Sequence, residues 1–186
     1  MALELGRQGD ARSVCVLSPA GFGTMREGTW ARMLLLSSRR AARRFDRHAE
    51  LVVGGPVRRT LAWWHLAGRP WRIPADEAVG ALHNLARSPG FETTLDALRE
   101  HRFGGHTYEI PVTVAWGERD RLLIHGRQSA RARRLLPDAR HVTLEGCGHV
   151  PTWDDPDQVA RVLLEASAEA AGGGGGVRAG ARSAPA

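Results

Sequence analysis

The sequence predicts an α/β fold in which a short parallel sheet is interrupted by a long helical segment. Two apolar runs, 13–17 and 111–116, are short and bounded by turn residues, which is typical of strands buried on both faces. Strand and helix patterns alternate after residue 109, and this order indicates βαβ units with parallel strands. The stretch between the two runs has helical periodicity almost throughout, which predicts an inserted cap rather than further sheet.

Each predicted element depends on a local signal. Residues 2–8 are typical of a helix end that Gly9 closes, and Pro74 followed by two acidic residues marks a helix start. The segment 88–90 (SPG) ends that helix. In chain order we expect helix 2–8, strand 13–17, helix 27–47, helix 57–67, helix 74–87, a helix after the 88–90 break to about residue 101, strand 111–116, helix 126–135, strand 140–144 and helix 156–170.

Four segments follow from this pattern. Residues 1–23 form a partial core of one helix and one strand, and residues 24–108 form the helical cap. Residues 109–171 complete the core. Residues 172–186 are rich in glycine and alanine, and this low-complexity composition predicts a disordered tail.

Composition disfavours several functional classes. The net charge of +6 and pI near 10.9 would suit an anionic partner, but all 26 basic residues are arginine and they interleave with acids. We therefore expect neither a nucleic-acid nor a membrane partner. Two cysteines without metal-ligand spacing predict no disulfide framework and no metal site. The N-terminus lacks the features of a signal peptide, so a cytoplasmic location is the default expectation.

Two motifs carry the candidate chemistry. Residues 116–120 (WGERD) follow one predicted strand, and residues 146–151 (GCGHVP) follow the next. Asp120 and His149 are 29 residues apart, since 149 minus 120 is 29, and this separation fits one βαβ step that brings both side chains to one edge of the sheet. An acid that orients a histidine makes up two of the three members of a nucleophilic catalytic triad.

Other assignments of these residues remain open at this point. Asp120 could cap a turn or the following helix, as aspartate often does, and His149 could be a surface or capping histidine. Glu118 is the nearest competitor for the role of the acid, whereas Asp138 follows a proline in a predicted loop. Metal and cofactor roles are not suggested by either motif.

These motifs resemble the C-terminal half of the α/β-hydrolase fold. Residues 116–120 resemble the W-G-x-x-D at the end of its seventh strand, and residues 146–151 resemble its G-x-G-H-x-P before the last helix. Residues 154–159 (DDPDQV) resemble the acidic start of that helix, and residues 16–21 (VLSPAG) resemble the sixth strand. Residues 1–5 resemble the middle of the helix that follows the nucleophile elbow.

The resemblance implies a nucleophile–acid–histidine hydrolase of ester or amide substrates, with Asp120 as the acid, His149 as the general base and no cofactor. The sequence contains no G-x-S-x-G nucleophile elbow, so the nucleophile and the oxyanion amides are expected upstream of Met1. On this interpretation the chain is a truncated fragment and inactive by itself. The alternatives are a non-catalytic binding module of the same fold and, less favoured, an arginine-rich interaction protein.

Two further side chains are conceivable nucleophiles, and the sequence favours neither. Ser18 follows a strand, but no glycine precedes it at the elbow position and no sharp strand-to-helix turn is predicted after it. Cys147 lies two residues before His149, and adjacent loop residues seldom direct their side chains at one another, so a small buried thiol is expected.

The substrate is expected to be a small molecule with an apolar portion, held between cap and core. The aromatic residues of the cap could line this pocket or could form the cap's own core. The expected lining residues are Phe22, Trp63, Trp64, Leu122 and Val150. A row of arginines on one helix, at 39, 40, 43, 44 and 47, is expected to be a solvated face. The apolar edge of the strand at 14–17 is expected to favour self-association.

Overall fold

The computed structural model describes residues 1–100 and 102–172, so the tail predicted for 172–186 lies outside the described residues from residue 173 onward. The helices and strands agree with the predicted ones to within a few residues. The short helix α3 was not predicted. The elements in chain order are α1 (Ala2–Gln8), β1 (Val14–Leu17), α2 (Met25–Phe45), α3 (Ala49–Val53), α4 (Pro56–Trp63), α5 (Ala75–Arg87), α6 (Phe91–Glu100), β2 (Val112–Gly117), α7 (His125–Leu135), β3 (Arg140–Leu144) and α8 (Pro156–Gly172).

The three strands form one parallel sheet in the order β1-β2-β3. Val14 pairs with Val112, and Thr113 pairs with Arg140. All six residues of the central strand β2 are buried, as its continuous apolar sequence requires. Helix α7 is the crossover between β2 and β3, and helices α2 to α6 form one long insertion between β1 and β2. The predicted α/β class, with three parallel strands, is confirmed. We keep the name cap for the helical insertion α2–α6.

Local sequence signals explain where the helices begin and end. Gly9 closes α1 in the left-handed conformation, with φ of 83°. Thr24 begins α2 with a capping box, because its hydroxyl accepts from the Glu27 amide and the Glu27 carboxylate accepts from the Thr24 amide. The Glu27 carboxylate also forms an ion pair with Arg131 of α7, so the start of the cap is tied to the core.

The cap and the sheet have separate hydrophobic cores. The sheet core contains Trp116 and Phe22, packed beside Val114 and the crossover helix. The cap core lies among α2, α3, α4 and α5. Its buried members are Ala42, Ala49, Val53, Trp63, Ala67, Ile73, Ala78, Leu82 and Ala86.

The arginine row on α2 is not a uniformly solvated face. Arg39 is only 3% exposed. Its guanidinium donates to the carbonyls of Leu85 and Ser88, at 3.1 and 2.7 Å, and lies 4.7 Å from the centre of the Phe91 ring. These carbonyls end α5 and have no partners within that helix, so Arg39 caps α5 from a neighbouring helix and joins α2, α5 and α6.

We therefore expect Arg39→Met to lower the free energy of unfolding by about 1–3 kcal/mol, because it removes a buried cation from two partly buried carbonyls. Arg40→Met is the matched control, since Arg40 is exposed and the same substitution there should change stability by less than about 0.5 kcal/mol. Urea unfolding of both variants measures the difference. Equal effects at the two positions would contradict the capping role.

Candidate active site

Asp120 lies in the turn directly after β2, and both of its carboxylate oxygens are used. Its amide donates to the Gly117 carbonyl at 3.0 Å, which forms the turn. Its Oδ1 accepts from the amides of Leu122 and Leu123, at 3.0 and 2.8 Å. Its Oδ2 lies 2.9 Å from Nδ1 of His149, and the side chain is completely buried. The turn-capping role and the contact with histidine therefore coexist, one on each oxygen.

His149 lies in the loop after β3, and Gly146 turns that loop with φ of 70°. The side chain is 23% exposed and lines a cavity, and Asp120 is not among the residues that line it. A carboxylate accepts but does not donate, so the contact requires a proton on Nδ1. In the neutral ring this leaves Nε2 as an unprotonated base.

The topology explains why these two residues meet. β2 and β3 are adjacent and parallel, so the loops that follow them leave the same edge of the sheet. Glu118, the competing acid, does not reach His149 in this arrangement. Its carboxylate instead accepts from the Gly146 amide at 2.8 Å and holds the start of the histidine loop.

The cavity beside His149 has a volume of about 330 Å³ and lies between the sheet edge and helices α2 and α6. Most of its wall is aliphatic or glycine, with a few polar groups. The lining residues are Leu17, Ser18, Pro19, Ala20, Gly21, Gly23, Thr24, Gly28, Ala31, Arg32, Leu35, Leu95, Leu98, Arg102, Leu122, Leu123, Gln128 and His149. Such a composition is typical of a small-molecule pocket.

The five residues predicted to line the pocket lie in different places. Leu122 lines the cavity with His149. Phe22 packs in the sheet core, 5.1 Å from the Phe103 ring and 6.3 Å from the Trp116 ring. The Val150 amide donates to the Leu66 carbonyl at 2.8 Å.

The two tryptophans belong to the cap itself. Trp63 is buried in the cap core, 5.8 Å from the Trp153 ring. Trp63 and Trp64 line a second cavity, of about 360 Å³, within the cap. The aliphatic wall from α2 and α6 was not predicted, and the only sequence signal for it is the apolar stripe on each helix.

Comparison with known proteins places the chain in a fold. No protein-family model matches it. The epoxide hydrolase EphH of Mycobacterium tuberculosis is 26% identical over 186 residues, covering 88% of this chain and 78% of that protein. A 2-hydroxy-6-oxo-6-phenylhexa-2,4-dienoate hydrolase of a Rhodococcus species matches with a TM-score of 0.54 and 18% identity, over 89% of this chain. A membrane phospholipase A, described as a bacterial virulence factor, matches with a TM-score of 0.55 and 17% identity, over 91% of this chain.

The chain has the α/β-hydrolase fold. It spans 59% of the Rhodococcus hydrolase and 53% of the phospholipase, which is less than two thirds of each solved chain. The resemblance that the sequence motifs indicated is thereby confirmed at the level of the fold.

Ser18 lies at an unusual point of this α/β-hydrolase sheet. It follows β1 directly, is buried, and has φ of 43°, a left-handed conformation that few residues other than glycine adopt. Its hydroxyl accepts from the Gly117 amide at 3.4 Å, and it lines the cavity that contains His149. Backbone strain of this kind is often found at functional sites.

Cys147 has the features of a structural thiol. It is completely buried, and its Sγ lies 3.6 Å from the Glu145 carbonyl, directed away from the cavity. Burial, with the nearby carboxylates of Asp154 and Asp155, raises the thiol pKa to about 11. The thiol is therefore protonated at neutral pH and is a poor nucleophile.

A second histidine, His65, is buried near the first. It is 2% exposed, and its Nε2 lies 3.3 Å from the Ser38 hydroxyl, which itself donates to the Leu34 carbonyl. Burial lowers the pKa of His65 to about 4, and the charge of His149 adds to this shift. His65 is thus neutral at physiological pH.

This lowered pKa predicts a loss of stability in mild acid. As the pH falls from 6.5 towards 4, the unfolded chain takes up a proton at His65 that the folded chain resists, so the free energy of unfolding falls by up to about 3 kcal/mol. His65→Gln should remove this part of the pH dependence, and His48→Gln, at an exposed position, should not. Urea midpoints at pH 7 and pH 4.5 provide the measurement. An unchanged pH dependence in His65→Gln would contradict the assignment.

Two kinds of feature are absent from the described residues. Within residues 1–100 and 102–172, no cluster of three or more histidine, cysteine, aspartate or glutamate side chains has the arrangement of a metal site. No helix in the same ranges is both long enough and apolar enough to cross a membrane.

Proposed function

We propose that Asp120 and His149 are the acid and the general base of a hydrolase that acts on ester or amide substrates with an apolar portion. The observation that carries the proposal is the 2.9 Å contact between the Asp120 carboxylate and His149 Nδ1, with the rest of the ring facing an apolar cavity. No cofactor is needed for this chemistry.

In the proposed reaction, Nε2 of His149 takes the proton of the nucleophile as it attacks the substrate carbonyl. The proton then passes to the leaving group as the acyl–enzyme bond forms. Water, deprotonated by the same nitrogen, releases the acid product and restores the nucleophile. Asp120 stabilises the imidazolium in both steps. Because the sequence contains no G-x-S-x-G, we propose that the nucleophile lies outside these 186 residues.

Epoxide hydrolysis is the second candidate, and the relationship to EphH favours it. In such a reaction a carboxylate nucleophile would attack an epoxide carbon, the carbon–oxygen bond would break, and the resulting alkoxide would take a proton from water. The resulting ester would then need a histidine-activated water to release a diol. Asp120 and His149 would have the same roles in this second step.

The test compares two chains on two substrates. The 186-residue chain is expected to hydrolyse neither p-nitrophenyl butyrate nor styrene oxide above background, because no nucleophile is present to be activated. A longer product of the same reading frame, which includes residues ahead of Met1, is expected to hydrolyse one of them, and the substrate it accepts distinguishes the two candidates.

Turnover by the 186-residue chain that disappears in His149→Ala would contradict the proposal that the nucleophile lies elsewhere. Ser18→Ala would then show whether Ser18 supplies it. Binding of apolar ligands by both chains without any turnover would instead support a non-catalytic module of this fold.

The outer edge of β1 is the proposed site of self-association. Within the described residues β1 pairs on one side alone, with β2, and unpaired strand edges promote contact with another chain. We expect the 186-residue chain to elute as a concentration-dependent oligomer in size-exclusion chromatography. Val16→Lys on this strand should shift it towards the monomer. A clean monomer at every concentration would contradict the expectation.

A further inference from the structure

One segment of the cap lies across both loops that carry the candidate acid and base. We call residues 64–69, which follow α4, the cap strap. The side chain of Arg121, next to the acid, donates to the Trp64 carbonyl at 2.7 Å. The Val150 amide, next to the base, donates to the Leu66 carbonyl at 2.8 Å. The strap therefore contacts the turn of Asp120 and the loop of His149 together.

Asp154 makes the central connection between the strap and the histidine loop. Its Oδ2 accepts from the amides of Gly68 and Gly148, at 2.8 and 2.7 Å. Its Oδ1 accepts from the amide of Arg69 at 2.7 Å, and the residue is only 8% exposed. One buried carboxylate thus receives three backbone N–H groups from two segments far apart in the sequence, and hydrogen bonds to a charged acceptor are the stronger kind.

This role differs from the one that the sequence indicates for Asp154. The motif at 154–159 resembles an acidic helix start, but only Asp155 makes such a cap, since its carboxylate accepts from the Gln158 amide at 2.8 Å. Asp154 points away from α8 and into the contact between strap and loop.

The glycines at this contact are explained by the same close approach. A Cβ atom on Gly148 would lie 2.5 Å from the Ala67 carbonyl carbon and 2.6 Å from the Gly68 nitrogen. A Cβ on Gly68 would overlap the carbonyl of Gly146. The backbones of the strap and the histidine loop are in contact, so the Asp154 carboxylate can accept hydrogen bonds from both at once.

We infer that Asp154 is a positioning residue for His149. It ties the histidine loop to the cap strap and so keeps the His149 imidazole within hydrogen-bonding distance of the Asp120 carboxylate. The role of His149 as a general base depends on the proposed function, but its positioning by Asp154 does not. A carboxylate is required because three donors converge on it. Asparagine offers one acceptor oxygen and turns an NH₂ group towards a backbone N–H, so at least one donor loses its partner.

The test uses nuclear magnetic resonance on the 186-residue chain and two variants. In Asp154→Asn at least one of the three amides loses its acceptor and the others lose a charged one, so we expect hydrogen exchange at Gly68, Arg69 and Gly148 to accelerate by about tenfold to a hundredfold. We also expect the low-field signal of the His149 Nδ1 proton to be lost through exchange with water. The amide of Val114, in the central strand, should exchange at an unchanged rate.

Asp155→Asn is the matched control. It makes the same chemical change one residue further along, and asparagine caps helices as well as aspartate does. It should leave the three amides and the His149 signal as they are in the unsubstituted chain. An unchanged His149 signal and unchanged exchange in Asp154→Asn would overturn the inference.

If Asp154→Asn does not fold, the unsubstituted chain still decides the question. Exchange measured at increasing denaturant should show that the amides of Gly68, Arg69 and Gly148 become exposed in one common opening. Opening of Gly148 at lower denaturant than Gly68 would show that they are not held together. Should these rates behave as expected while no form of the protein hydrolyses an ester or an epoxide, the positioning role stands and the proposed function fails.

Discussion

His149→Ala is expected to lower kcat/KM by about two to four orders of magnitude in any form of the protein that hydrolyses an ester or an epoxide. The substitution removes the base that takes the proton of the nucleophile and later activates water. His48→Ala is the matched control, since His48 is exposed and does not line the cavity. Steady-state kinetics give the comparison, and a His149→Ala variant with nearly full activity would exclude His149 as the base.

Asp120→Asn should cause a large but smaller loss, for a reason visible in the hydrogen bonds. Oδ1 of Asp120 faces the amides of Leu122 and Leu123, and Oδ2 faces His149. An asparagine that keeps its carbonyl on the two amides presents its NH₂ group to Nδ1 of His149. That nitrogen must then accept, so the ring proton moves to Nε2, and the base loses its lone pair on the substrate side.

Gly148→Ala and Gly80→Ala are expected to change stability in opposite directions. The new Cβ at position 148 would lie within 2.5–2.7 Å of backbone atoms of Ala67 and Gly68, so the strap and the histidine loop must separate. We expect this overpacking to lower the free energy of unfolding by about 1–3 kcal/mol or more. Gly80 lies inside α5 with no atom near its Cβ position, so alanine there should stabilise by about 0.5–1 kcal/mol.

Urea unfolding measures both glycine variants under the same conditions. If Gly148→Ala were as stable as the unsubstituted chain, the close contact between the strap and the histidine loop would be wrong. If Gly80→Ala were destabilising, it would contradict the finding that the space around a Cβ at position 80 is open. The two results are independent, because the positions lie in different parts of the cap and core.

The sequence predicted the parts of this molecule that depend on local patterns. The strands, most of the helices and the parallel arrangement follow from short apolar runs and helical periodicity. Asp120 and His149 were found because each lies in a compact motif just after a strand, and adjacent parallel strands bring such positions together.

The features that the sequence did not predict depend on contacts between distant residues. Asp154 and Gly68 are 86 residues apart, and nothing in the acidic motif at 154–159 distinguishes a helix cap from a bond to the cap strap. Arg39 is buried because it meets the end of α5, 46 residues away at Leu85. The cavity wall depends in the same way on how α2 and α6 pack, which periodicity alone does not determine.

The proposed function requires that Asp120 hold the proton of His149 on Nδ1 and leave Nε2 unprotonated as the base. Nitrogen chemical shifts of the His149 ring in the 186-residue chain at neutral pH test it directly, because protonated and unprotonated ring nitrogens differ clearly. We expect a protonated Nδ1 in the unsubstituted chain and a protonated Nε2 in Asp120→Asn. A protonated Nε2 in the unsubstituted chain, or the same tautomer in both proteins, would contradict it.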